Sequence, residues 1–208
     1  MTESALPLLP VADVSRETVE RLVEFEQLIR KWNPAINLIS KSSLDALWGR
    51  HIVDSAQIYQ HIPSNALKCL DIGSGGGLPG IVLAVISADL APERTFILVE
   101  SDQRKSAFLR EASRSLGLKV DVRASRVESL DPMCADLLSA RALAPLSKLL
   151  ASAQRHLSDE GTCLFPKGES YKKEISDAQK LFTFECEAIQ SLTDEKGAIL
   201  KIHGIRNA

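Results

Sequence analysis

Apolar residues recur at intervals of three and four between Ser15 and Trp32, placing Leu22, Phe25, Ile29 and Trp32 on one side of a helix. Asn33-Pro34 predicts its end. A second helical pattern runs from Ser43 to Tyr59, with Leu44, Leu47, Trp48, Ile52 and Ser55 near one face. The residues up to about Pro10 read as a loose arm, and His61-Ile62-Pro63-Ser64-Asn65 as a linker. From Leu67 onward short apolar runs alternate with amphipathic ones. Strands are predicted at Lys68–Ile72, Thr95–Val99, Lys119–Arg123, Asp136–Ala140 and Thr162–Pro166. Between them fall a helix after a glycine cluster, a helix capped by Ser101 or Asp102 and ended by Gly117, a short helix near Arg126–Leu130, and a helix from Pro145 to His156. A polar helix (Tyr171–Leu181) and two strands (Phe184–Ser191, Ala198–Ile205) complete the chain.

Repeated strand–helix units predict a Rossmann-like, doubly wound α/β fold with a mostly parallel sheet, because each right-handed crossover needs a helix. The last two strands are separated only by Thr193–Gly197, so they must pair as an antiparallel hairpin. The reading divides the chain into an N-terminal helical extension (1–64) and a ligand-binding domain (65–208).

The glycine cluster is the main chemical signal. In Cys69-Leu70-Asp71-Ile72-Gly73-Ser74-Gly75-Gly76-Gly77-Leu78-Pro79-Gly80 a strand enters a turn whose backbone can approach a ligand, and an apolar helix follows. Two cofactor classes suit it. Gly75-x-Gly77-x-x-Gly80 satisfies the dinucleotide fingerprint. Asp71-x-Gly73-x-Gly75-x-Gly77 instead has the form of the first motif of class I methyltransferases, whose S-adenosyl-L-methionine is cationic and suits an acidic residue that would repel a diphosphate. Glu100, at the end of the second strand, can hold ribose hydroxyls in either class. A terminal antiparallel strand and 208 residues, too few for a second mononucleotide half, favour the methyltransferase.

Composition narrows the classes further. A net charge of −2 argues against bulk coating of nucleic acid, while leaving room for a local basic face. Arg104, Lys105, Arg110, Arg114, Lys119, Arg123 and Arg126 are candidates for such a face or for an ordinary solvated surface. Cys69, Cys134, Cys163 and Cys186 are scattered, with no metal spacing and no disulfide framework, and Cys69 and Cys163 read as reduced core residues. Neither a signal peptide nor a membrane-spanning run is recognisable, so no membrane role and a cytoplasmic location are expected.

Several motifs coincide in order and spacing. They are Lys31-Trp32-Asn33 with Asn37-Leu38, Arg50-His51-x-x-Asp54-Ser55, the glycine cluster, Glu100-Ser101 with Lys105 and Phe108-Leu109, Arg126-Val127-Glu128, Ala140-Arg141-Ala142, and Lys167-Gly168. On these the chain resembles the RsmG (GidB) family, bacterial enzymes that methylate N7 of a guanine in 16S ribosomal RNA. The resemblance implies a class I methyltransferase using S-adenosyl-L-methionine, with 16S rRNA in the small subunit or an assembly intermediate as partner; nothing in the residues themselves calls for a metal or for more than a monomer. It implies that Gly73 and Leu78 line the methionine end of the cofactor, with Asp71, Gly75, Gly77 and Ser101 beside them. Glu100 holds the ribose, and Val127 and Glu128 flank the adenine. Arg141 lies between cofactor and base, a cofactor contact and, with Lys167, a catalytic candidate; Arg50, His51, Asp54 and Lys167 shape the RNA side.

Other readings stay open for single residues. His51 suits a satisfied core histidine equally well, and Asp54 can simply pair with Arg50 four residues earlier. Trp48 is a candidate for base stacking. The rival functions are a methyltransferase on another RNA or a small molecule, and a non-catalytic dinucleotide-binding module.

Overall fold

The computed structural model describes residues 8–208, so most of the predicted N-terminal arm lies outside the described residues. Helix α1 (Arg16–Ile36) starts where Ser15 accepts a hydrogen bond from the Thr18 N–H. It runs through Pro34, against the predicted stop. A proline in the last turn forfeits one backbone bond, while the buried Leu22, Phe25 and Ile29 hold the helix to the core. The true stop is Asn37, at φ 50°, and buried Asn33 secures the exit by accepting from the Ile39 N–H at 2.9 Å.

The second predicted helix is broken into pieces. A short turn (Lys41–Ser43) precedes a π-helical segment (Trp48–Val53), a single α-turn, α2 (Asp54–Ala56), and a final turn (Tyr59–His61). Wider winding is common at functional sites, and here it aims His51 and Asp54 at one partner across the sheet end. Trp48 packs against the core rather than standing free as a stacking platform, a correction to the sequence reading.

The remaining elements alternate as predicted: β1 (Lys68–Ile72), α3 (Gly80–Leu90), β2 (Thr95–Val99), α4 (Gln103–Ser115), β3 (Val120–Arg123), β4 (Ala135–Ser139), α5 (Leu146–His156), β5 (Leu157–Lys167), α6 (Tyr171–Ala178), β6 (Phe182–Gln190) and β7 (Ala198–Asn207). Their seven-stranded sheet has the order β3-β2-β1-β4-β5-β7-β6. β5 is longer than predicted because α5 passes directly into it and Leu157 already pairs with Ala135. β7 is antiparallel to both neighbours, and it inserts between β5 and β6 instead of forming the edge.

Two apolar layers cover the sheet. On one face Leu22, Phe25 and Ile29 of α1 share a core with Ile81 and Val85 of α3 and Phe108 of α4. On the other, Leu146, Leu149 and Leu150 of α5 pack over Leu70, Leu138 and Phe165. The extension thus contributes to the same core as the sheet. β1 and β4 are neighbours whose following helices cover opposite faces, so a crevice opens at their C-terminal ends.

Candidate active site

Two adjoining cavities occupy that end of the sheet. The first, of about 540 Å³, lies between the glycine turn, the ends of β2 and β3, and α5. Its lining includes Gly73, Gly75, Leu78, Glu100, Ser101, Val127, Glu128 and Arg141, eight of the residues expected to hold the cofactor. Its size suits a nucleoside-sized ligand.

The turn after β1 is built for close approach. Ser74 donates its N–H to the Val99 carbonyl at 3.1 Å, pinning the turn to β2. Gly73 and Gly75 have φ of 63° and 52°, and a Cβ at Gly75 would meet little but open space. Glu100 is almost buried and accepts from the Gly75 N–H and the Asp102 N–H, both at 2.8 Å. A carboxylate has about four lone-pair positions, so two remain for ribose hydroxyls. At the far end Val127 is fixed from behind: its carbonyl accepts from Nε2 of His156, 3.0 Å away and fully buried. Burial also pushes the His156 pKa down, keeping the ring neutral.

Asp71 and Gly77, expected as cofactor residues, lie outside the cavity lining. Asp71 is fully buried between β1 and β4, where Oδ1 accepts from Ser139 Oγ at 2.6 Å. Oδ2 sits 2.7 Å from where a Cβ on Gly80 would be, so Asp71 braces the start of α3. Burial pushes its pKa up to about 6, opposed by the Ser139 hydrogen bond. Gly77 is a packing glycine: a Cβ there would meet Ile81 Cγ1 at 2.6 Å and Phe25 Cζ at 3.0 Å.

The second cavity, about 650 Å³, lies beyond β4 toward β5, α6 and the β6–β7 turn. Asp54, Arg141 and Lys167 line it, as do Gln57, Glu174, Ser191 and Asp194. Residues Arg141–Ala144 belong to both cavities and form their common wall. Ala142 there adopts φ 53°, unusual for a residue with a Cβ, and the Leu143 side chain leans over Gly73.

Both ends of this wall are held by ion pairs. At one end Arg141 Nη1 lies 3.3 Å from Asp54 Oδ2 and 2.9 Å from His51 Nδ1. A guanidinium only donates, so Nδ1 must accept and the imidazole proton sits on Nε2. Burial first, then the Arg141 charge, pushes the His51 pKa down to about 4. All three hydrogen bonds of Arg141 use Nη1, which leaves Nε and Nη2 unpaired among the described residues. At the other end Lys167 Nζ donates to the Ala144 carbonyl at 2.9 Å and to Glu174 at 2.8 Å. The same Glu174 oxygen accepts from the Leu146 N–H at the start of α5. Lys167 is therefore a strut of the wall that also lines the second cavity, with two of its three ammonium donors engaged.

Asp54 pairs with Arg141 and not with Arg50, correcting the helical pairing suggested by their spacing. Arg50 and His51 support Arg141 from behind and lie outside the cavity lining. The basic run is partly neutralised in place: Arg104 with Asp102, Arg114 with Glu111 and Arg123 with Asp121. No group of histidine, cysteine or acidic residues among the described residues could hold a metal. Glu174 and His156 escaped the sequence reading, because no local motif links them to the positions they hold.

The family model for rRNA small subunit methyltransferase G matches residues 18–203. Among curated proteins, the ribosomal RNA small subunit methyltransferase G of Ruegeria pomeroyi is 53% identical over 193 residues, covering 93% of this chain and 94% of its own. That of Cereibacter sphaeroides is 51% identical over 205 residues, covering 99% and 98%. Among solved structures, a SAM-dependent methyltransferase from Aquifex aeolicus aligns with TM-score 0.58 and 13% identity over 85% of this chain and 97% of that one. A ribosomal protein L11 methylase from Lactobacillus delbrueckii gives 0.57 and 17% over 74% and 78%. These structural likenesses carry the class I methyltransferase fold, in agreement with the strand order seen here. By sequence over nearly its whole length, the chain belongs to the rRNA small subunit methyltransferase G family.

Proposed function

We propose that this enzyme transfers the methyl group of S-adenosyl-L-methionine to N7 of a guanine in 16S rRNA, on the small subunit or an assembly intermediate. In this reading it acts as a cytoplasmic monomer. Residues from 65 onward supply most of the cofactor site, with Leu38 of the extension at its edge, and the extension ending at Ser64 completes the RNA side. The observation that carries the proposal is the single wall, Arg141–Ala144, shared by a nucleoside-sized cavity and a second cavity.

The first cavity fits the cofactor in its chemistry as well as its size. Glu100 offers two spare acceptor positions for a ribose, Val127 and Leu149 give apolar surface for an adenine, and the turn at Gly75, where a Cβ would meet little but open space, admits the amino-acid end. When bound, S-adenosyl-L-methionine supplies a methyl on a sulfonium, an electrophile that needs only a nucleophile in line. Guanine N7 has an exposed lone pair and no proton to lose, so the site needs no general base. Its task is alignment, which in well-oriented systems lowers a barrier by about 7–11 kcal/mol.

Arg141 suits the role of aligning residue. Its free Nε–H and Nη2–H groups can donate to guanine O6, the acceptor next to N7. Positive charge moves onto the purine during transfer, and a bare cation nearby would oppose it. Asp54 balances the Arg141 charge, and His51 stays neutral. Incubating small subunits that lack the modification with labelled S-adenosyl-L-methionine tests the reading. Label is expected in the rRNA fraction, and label confined to ribosomal protein would overturn it.

A further inference from the structure

The β6–β7 turn closes the far side of the second cavity through Ser191 and Asp194. It is stiff within itself. Gln190 Nε2 reaches the carbonyls of Asp194, Glu195 and Gly197 at 3.1–3.2 Å, and Ser191 Oγ accepts from the N–H groups of Thr193 and Asp194.

It is tied to Asp54 by a buried amide, Gln57, and directly by Thr193. Gln57, 1% exposed, accepts from the Leu192 N–H at 2.7 Å through Oε1. Its Nε2 faces Asp54 Oδ1 at 2.9 Å, and Ser191 Oγ and Thr193 Oγ1 at 3.2 Å. Thr193 Oγ1 in turn donates to Asp54 Oδ1 at 2.6 Å. Asp54 Oδ2 receives Arg141. One carboxylate is thus held on one oxygen by the tail of the chain and on the other by the residue placed at the target base.

From this we infer that Gln57 and Thr193 are positioning residues of the RNA side: through Asp54 they set the β6–β7 turn and Arg141 at a fixed separation across the second cavity. The inference rests on the methyl-transfer reading above. Neither residue lines the first cavity, and the Arg141 atom they reach is the one turned to Asp54 on the RNA side, so their effect falls on RNA more than on cofactor.

Gln57 is too buried for a clean test, but Thr193 is exposed, and Thr193→Val keeps its shape while removing the hydroxyl. With small subunits lacking the modification, Thr193→Val is expected to lower kcat/KM about tenfold, as for loss of a hydrogen bond to a charged group. Its affinity for S-adenosylhomocysteine should stay within about twofold of wild type, since none of the broken contacts reaches that cavity. Thr193→Ser, which keeps the hydroxyl, is expected to restore kcat/KM. A merely structural turn predicts a lower Tm with unchanged kcat/KM, and that result would overturn the inference. So would equal losses in Thr193→Val and Thr193→Ser. Wild-type enzyme inactive on those subunits would instead remove the functional reading, and this inference with it.

Discussion

Glu100 illustrates how much of the site depends on single atoms. Its carboxylate serves two backbone N–H groups, one from the glycine turn and one from the start of α4, and keeps acceptor capacity facing the cavity. Glu100→Gln replaces one acceptor with a donor opposite an N–H. Calorimetry should then show S-adenosylhomocysteine binding about tenfold more weakly; unchanged affinity would count against the ribose assignment. Arg141 is expected to separate differently, because Arg141→Ala removes the base-aligning donors. Methyl transfer should fall at least a hundredfold, while S-adenosylhomocysteine affinity moves only a few-fold, as for an interaction made in the transition state. The half-buried His51 and the fully buried Asp71 also give the fold a specific acid response. His51 is held down to about 4 from 6.5, so the unfolded chain takes the proton first and stability falls as pH drops through that window. Asp71 is raised from 3.8 to about 6, so the folded chain keeps a proton that the unfolded chain releases, and stability falls as pH rises through it. Between about 4 and 6 the two oppose each other. Asp71→Asn removes the second, and urea unfolding across that range should show stability climbing more steeply with pH than in wild type.

At the scale of elements, the contact of β1 with α3 and the wall between the cavities decide the outcome. α3 lies close over the sheet because Gly80 has no Cβ: one there would fall 2.4 Å from Leu98 Cδ2. Gly80→Ala should cost about 1–3 kcal/mol by overpacking. Gly49→Ala, with nothing within 4 Å, should be neutral or slightly stabilising in the same unfolding experiment. The wall behaves as a beam fixed at both ends. Glu174→Ala leaves Lys167 without its counter-charge and the Leu146 N–H without its acceptor. Because the wall faces both cavities, cofactor affinity and methyl transfer should fall together by about tenfold. That joint loss distinguishes the α6 end of the wall from Thr193, where only transfer to RNA should change.

For the whole molecule, what could be read from the sequence follows the range of the interactions involved. The strands, the glycine turn and the sheet class are local patterns of apolar periodicity and backbone permission, and they appear where predicted. The first cavity was nearly as readable, since its lining comes from segments that directly follow strands. The bracing position of Asp71 was not readable, because a carboxylate at a strand end looks the same whether it faces a ligand or braces a helix. The bracing of Lys167 was unreadable for a similar reason: Glu174, seven residues on, has no local relation to it until α6 folds back. The β6–β7 turn meets Gln57 across more than a hundred residues of chain, a contact that only the completed sheet creates. Pro34 and the π-helical segment were unreadable because tertiary burial outweighed local propensity. No helix among the described residues is long and apolar enough to cross a membrane.

The central claim concerns one atom of one base. Small subunits lacking the modification would be incubated with enzyme and methyl-labelled S-adenosyl-L-methionine, and their rRNA digested to nucleosides and separated. The account predicts label in 7-methylguanosine, lost in Arg141→Ala. Label in a different nucleoside, or none despite bound cofactor, would contradict it.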